Sequence, residues 1–144
     1  MTVLIDDHVL ARLLTESLTD ADLAAIDGDD LTTTGCWYYR LCHAVRSPTI
    51  TGSLSGLFAS LPGPSQHRAN AVLVELPDEI GLASFRALVP TMSDLVERHP
   101  LNLLSLEVLA AATSTPSAVV IDQSNQRGPL TPALVAEGVE VRVV

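Results

Sequence analysis

Two short apolar runs each stop at an aspartate, VLID at residues 3–6 and VVID at 119–122, and segments of helical periodicity lie between them. Runs of four to six apolar residues rich in valine and isoleucine, bounded by polar or turn residues, predict strands. On that basis TVLI (2–5), LTTT (31–34), AVLVEL (71–76), SAVVI (117–121) and VEVRVV (139–144) read as strands. Helices are expected between them. The first runs to about Ser17, with Asp7 as its N-cap and Val9, Leu10, Leu13 and Leu14 as its apolar stripe. Others cover 20–26, capped by Thr19, and 36–45, CWYYRLCHAV, where Trp37 reads as a core residue. A long helix is expected over 81–99, kinked or broken at Pro90. The next, LNLLSLEVLAAAT, would carry Pro100 in its first turn, and TPALVAEG forms the last. The Ser-, Pro- and Gly-rich segment 47–70 reads as a loop with at most one helical turn, and QSNQRG as a second loop. Strands alternating with helices define an α/β chain with a mainly parallel sheet covered on both faces, and 144 residues fit one domain.

That architecture gives the two terminal aspartates a meaning. Ligands of open parallel sheets collect at the carboxyl ends of strands, so Asp6 and Asp122 would converge if their strands are neighbours. Glu107 is a third candidate, because it sits in a helix that is apolar nearly all round, where a carboxylate needs a partner or a cation. Carboxylates converging in a cleft hold Mg²⁺ or Mn²⁺, hard cations that prefer oxygen and can activate water against a phosphodiester. The competing reading is that Asp6 and Asp122 merely cap the elements that follow, with Asp6 the site residue and Asp7 the cap of the adjacent pair if both roles are present.

Composition narrows the alternatives. Seventeen acids against eight bases give a net charge of −9, which argues against a broad electrostatic footprint for nucleic acid and suits a basic partner peptide. A local basic groove, or a nuclease that meets phosphate through metal ions, is compatible with that balance. The acidic stretch Asp20, Asp22, Asp27, Asp29 and Asp30 lacks the spacing of a calcium loop and reads as solvated. Cys36 and Cys42, about 9 Å apart along one helix and on different faces, are expected to be free thiols. Neither phosphate-loop, dinucleotide nor hydrolase-elbow motifs occur. The four histidines are scattered, although His8 follows the aspartate pair. No window approaches the ~18 apolar residues of a membrane helix, and the first residues lack a basic signal region, so a cytoplasmic protein is expected.

The order strand–Asp–helix, Trp-bearing helix, LNLLSLEVLAAA, AVVID and GVEVRVV resembles the PIN domain over essentially the whole chain. It is similar to the single-domain ribonuclease toxins of bacterial VapBC toxin–antitoxin systems. LIDDHVLARLL matches the first strand and its Asp, at Asp6. EVLAAA matches the family's D-A-L-h-x-A stretch, with Glu107 in place of Asp, and AVVID places Asp122 at the later Asp. The resemblance implies a PIN-like three-layer α/β/α sandwich with about four or five strands. It also implies a Mg²⁺- or Mn²⁺-dependent endoribonuclease with Asp6, Glu107 and Asp122 as catalytic metal ligands, an antitoxin-like partner protein and a homodimer. Two departures stand against activity. Arg40 occupies the position of a family Glu in the LW-x-x-E-h-x-x-A context, and the interval between Glu107 and Asp122 is short. Arg40 either pairs with Asp6 or Glu107 and fills the place of the cation, the reading favoured here, or turns outward to contact phosphate. The alternative to a nuclease is therefore a catalytically degenerate PIN-like module that binds a partner protein or nucleic acid without cleavage.

Overall fold

The computed structural model describes residues 1–47, 52–115 and 117–144. In chain order the elements are β1 (Thr2–Ile5), α1 (Asp7–Leu14), α2 (Asp20–Ile26), β2 (Asp30–Thr33), α3 (Gly35–Arg46), α4 (Ser53–Ala59), α5 (Gly63–Val74), β3 (Gly81–Leu82), α6 (Phe85–Arg98), α7 (Leu103–Ser114), β4 (Ser117–Ile121), α8 (Gln123–Gln126), α9 (Leu130–Ala136) and β5 (Val141–Val143). The strands form one parallel sheet in the order β3-β2-β1-β4-β5.

Alternation along the central strands divides the core into two layers. Val3 and Ile5 of β1, with Ala118 and Val120 of β4, face a cluster built from α1, α3, α4 and α5. Leu4, Val119 and Ile121 face the other way, onto Trp37 and the helices α6, α7 and α9. The result is the three-layer α/β/α sandwich, with the middle of the sheet buried on both sides as its uninterrupted apolar runs require. Helix α7 is buried from Ser105 to Ala112, around its whole circumference. Among the described residues no helix is long and apolar enough to cross a membrane.

Several boundaries differ from expectation. AVLVEL is not a strand: its first four residues form the end of α5, where Ala69 and Leu73 are buried at helical spacing and Pro64 pre-sets the first turn. The expected loop at 47–70 holds two helices, α4 and α5, while its residues 48–51 lie outside the described set. The third strand is instead the pair Gly81–Leu82, set against Thr32 and Thr33 of β2, so the helix expected from Gly81 begins at Phe85. A Cβ at Gly81 would lie 2.7 Å from Thr32 Oγ1, which is why glycine stands there. Helix α6 continues through Pro90. Helix α7 starts three residues after Pro100, capped by Asn102, whose side chain accepts from Ser105 N at 2.9 Å. The QSNQ segment is one helical turn rather than loop.

Candidate functional site

In the order 3-2-1-4-5 the chain leaves β1 toward β2 on one side and reaches β4 on the other. The crevice at the carboxyl ends of β1 and β4 is the topological switch point of the sheet. Asp6 and Asp122 both stand there, as their strands are parallel neighbours with Ile5 opposite Val120.

Asp6 is fully buried and its carboxylate is a junction. Oδ1 accepts from Val9 N at 2.9 Å, which makes Asp6 the N-cap of α1. Oδ2 accepts from Asp122 N at 2.8 Å and from Asn125 Nδ2 at 2.7 Å. The sequence reading assigned the cap to Asp7. The helix begins one residue earlier, and Asp7 occupies its first position. Burial pushes the Asp6 carboxyl above its ordinary range, and the neighbouring Asp7 charge adds to this, against the hydrogen bonds from Val9, Asn125 and Asp122.

Asp7 is also fully buried. Its Oδ1 takes Asn125 Nδ2 at 2.8 Å and lies 2.9 Å from His8 Nδ1. Its Oδ2 has no aligned hydrogen bond but lies 3.0 Å from Arg40 Nε, an ion pair. The expected contact of Arg40 with a carboxylate is thus present, but the carboxylate is Asp7 rather than Asp6 or Glu107. His8 Nε2 lies 3.2 Å from Ser124 Oγ, which donates to Asp122 Oδ2 at 2.5 Å. Burial alone would lower the His8 pKa, but the hydrogen bond to Asp7 and the charges of Asp7, Asp6 and Asp122 outweigh it and raise the value.

Asp122 is held from two sides. Oδ2 accepts from Ser124 N at 2.9 Å, and Oδ1 accepts from Arg12 Nη1 at 2.8 Å. Arg12 grips the buried Asp22 bidentately, Nε to Oδ2 at 2.8 Å and Nη2 to Oδ1 at 2.7 Å. This planar fork joins α1, α2 and the end of β4. It also corrects the expectation that the acidic segment is solvated throughout. Burial works against the ionised form of both aspartates. Ser124 and Arg12 nevertheless hold Asp122 below its usual range, and Arg12 with Thr19 does the same for Asp22.

Glu107, fully buried, faces another task. Oε1 accepts from Gly35 N at 3.1 Å and Oε2 from Cys36 N at 2.8 Å, so the carboxylate closes the N-terminus of α3. A Cβ on Gly35 would sit 3.1 Å from Oε1, so the glycine is what lets the carboxylate approach. The partner that this buried carboxylate needs is thus the N-terminus of a helix other than its own. Burial, with Glu107 beside it, raises the Cys36 thiol to about 11. Both cysteines are free.

The predicted ligands Asp6, Glu107 and Asp122 do not form one compact group among the described residues. Asp6, Asp7 and His8 do: each offers a ligand atom, all within 4.8 Å of one another, close enough to hold a metal ion. Sequence reasoning missed Asn125, Ser124 and Arg12. The D-x-x-N spacing of Asp122 and Asn125, ending a strand and opening a helical turn, is the signal that could have found Asn125. No protein-family model and no curated protein matches the chain.

The raised His8 pKa has a measurable consequence. A raised folded value means that the fold favours imidazolium. That contribution is complete below the unfolded value of 6.5 and is lost as pH rises through the folded value. Urea unfolding free energies should therefore decline above pH 6.5, with a slope of at most about 1.4 kcal/mol per pH unit from this one proton. His8→Gln should flatten that decline, and an unchanged slope in the variant would assign the decline to another group.

Proposed function

We propose that the chain is a cytoplasmic PIN-like module whose acidic crevice is closed by its own cations, and that it acts by binding a partner protein rather than by cutting RNA. The observation that carries this reading is the Arg40–Asp7 ion pair, with Nε 3.0 Å from Oδ2. A guanidinium stands beside the buried oxygen that a cation would need, at the position where the resembled family has a Glu. The other acids are likewise engaged. Arg12 holds Asp122, backbone N–H groups hold Glu107, and Asp6 accepts three hydrogen bonds. The net charge of −9 favours a partner with a basic segment over nucleic acid, and a small antitoxin-like protein is the partner that the resemblance suggests.

A second reading has its own support. The Asp6–Asp7–His8 group is compact, Asp7 Oδ2 lacks a hydrogen bond, and the Arg40 side chain is 43% exposed, free to turn outward. With Arg40 displaced, Asp6 and Asp7 would supply the oxygen ligands that Mg²⁺ or Mn²⁺ prefers, and neutral His8 a ring nitrogen. Such an ion would activate water and steady the charge of a phosphodiester under attack, which is endoribonuclease chemistry of the toxin type.

Incubating the protein with mixed-sequence RNA in Mn²⁺, Mg²⁺ or EDTA separates the two. The first reading expects no divalent-dependent cleavage and a melting temperature that Mn²⁺ shifts by less than about 1 °C, the mark of negligible preferential binding to the folded state. Cleavage that requires Mn²⁺ and disappears in Asp6→Asn would establish the second and end the first.

A further inference from the structure

Helix α3 carries Arg40, His43 and Ala44 at positions i, i+3 and i+4, which share one face of the helix. With His8 they line a cavity of about 270 Å³, closed on the other side by Leu54 and Ser55 of α4. The chain carries seventeen acids, yet no carboxylate lines this cavity among the described residues, whereas Arg40, His8 and His43 all do. Two of its polar groups are already engaged. His8 reaches Asp7 at 2.9 Å and Ser124 at 3.2 Å, and Ser55 Oγ accepts from Gly52 N at 3.1 Å. The other two have capacity to spare. Arg40 is held at Nε, 3.0 Å from Asp7 Oδ2, and none of its guanidinium N–H groups has an aligned hydrogen bond among the described residues. The His43 ring stacks on Tyr39, with centroids 6.2 Å apart, and its nitrogens have no hydrogen bond among the described residues.

We propose that this cavity binds a small organic monocarboxylate, with its oxygens on Arg40 and His43 and its carbon chain against Ala44 and Leu54. A guanidinium fork with unused N–H groups on a cavity wall calls for an oxyanion. Charge decides which one. Arg40 is the one permanent cation among the described lining residues, and buried Asp7 already answers part of its charge, so a monoanion fits better than a phosphate dianion. Size narrows the class further. The volume falls below the roughly 300–1,000 Å³ of sites for drug-sized ligands, which leaves room for a short carbon chain and not for a nucleotide. Asp7 has a second effect here. By holding Nε it fixes the fork before the ligand arrives, as Tyr39 does for the His43 ring, and this lowers the ordering cost of binding. The inference rests on the closed crevice proposed above, since an ion at Asp7 would displace the arginine. RNA cleavage would therefore end both readings, whereas failure to bind a carboxylate in a protein that does not cleave RNA would end this one alone.

Titration of the full chain with sodium pentanoate to about 100 mM, in EDTA and at constant ionic strength, tests it through the NMR signals of the Arg40 side-chain N–H groups and the His43 ring. Saturable shifts with a dissociation constant of about 1–10 mM are expected. Acetate, without the longer chain, should bind roughly tenfold more weakly, and inorganic phosphate no better than acetate. Arg40→Gln should weaken pentanoate binding at least about tenfold by removing both charge and fork. His43→Glu brings a carboxylate to the cavity from an exposed position, so it should abolish binding while the melting temperature stays within about 1 °C. Shifts that rise linearly without saturation, phosphate binding tighter than pentanoate, or binding that survives His43→Glu would overturn the proposal.

Discussion

Replacing Glu107 with alanine is expected to lower the unfolding free energy by about 4 kcal/mol. The side chain is fully buried, and its two oxygens satisfy Gly35 N at 3.1 Å and Cys36 N at 2.8 Å. These are two of the four N–H groups that the start of α3 leaves without helical partners. Thr34 Oγ1 serves a third, Trp37 N, at 3.3 Å. Charge-assisted bonds of this kind contribute about 1.5–3 kcal/mol each, and alanine also leaves a cavity in the layer between α3 and α7. Relief of the buried carboxylate's desolvation offsets part of the sum, which leaves about 4. For a chain of this length that lowers the melting temperature by roughly 12 °C. Glu107→Gln keeps the shape and one acceptor oxygen but turns its amide toward the other N–H, so it should lose about half as much. Urea unfolding should order the proteins wild type, Gln, Ala. An alanine variant within about 1 kcal/mol of wild type would show that solvent or relaxation caps α3 instead.

The same residue shows what a sequence can and cannot carry. That Glu107 is buried follows from an apolar helix reading LNLLSLEVLAAAT. Its partners are 71 and 72 residues away, and no local pattern announces them. The strands β1, β4 and β5 were legible because their β-branched runs are bounded by aspartate or glycine, and the neighbouring of β1 with β4 brings Asp6 and Asp122 to one edge as expected. Strand β3 was not. Two residues have no periodicity, and what defines it is its pairing with Thr32 and Thr33, a tertiary event. AVLVEL misled for the converse reason: a short apolar run reads alike in a buried strand and on a packed helix. At the site the aspartate pair was visible but the cap is Asp6 rather than Asp7, because a one-residue shift in a helix start exchanges cap and first-turn positions. The arginine contact was foreseen from one substituted position. Its acceptor was not, because two adjacent acids differ only in where the helix start points them.

Arg40→Glu is expected to make the stability of the protein depend on Mn²⁺. In wild type the guanidinium is the cation nearest Asp7 Oδ2, at 3.0 Å, and that oxygen has no hydrogen bond of its own. Glutamate removes the cation and brings a third carboxylate to the buried Asp6 and Asp7. The half-exposed pair itself accounts for at most about 1 kcal/mol. Repulsion from a fully buried acid adds to it, so a loss of about 2–3 kcal/mol without metal is expected. A divalent ion at a hundred times its dissociation constant would return about 2.7 kcal/mol, near 8 °C of melting temperature, against less than about 1 °C in wild type. Arg40→Gln separates the two causes. It vacates the same space without adding a ligand, so it should respond to Mn²⁺ only slightly. If Gln and Glu respond equally, the arginine merely blocked a site that Asp6 and Asp7 already complete. If neither responds, the aspartates serve the hydrogen-bond junction with Asn125 and hold no ion in any form. A response confined to Glu means that charge at position 40 alone decides between an ion-pair-closed crevice and a metal centre.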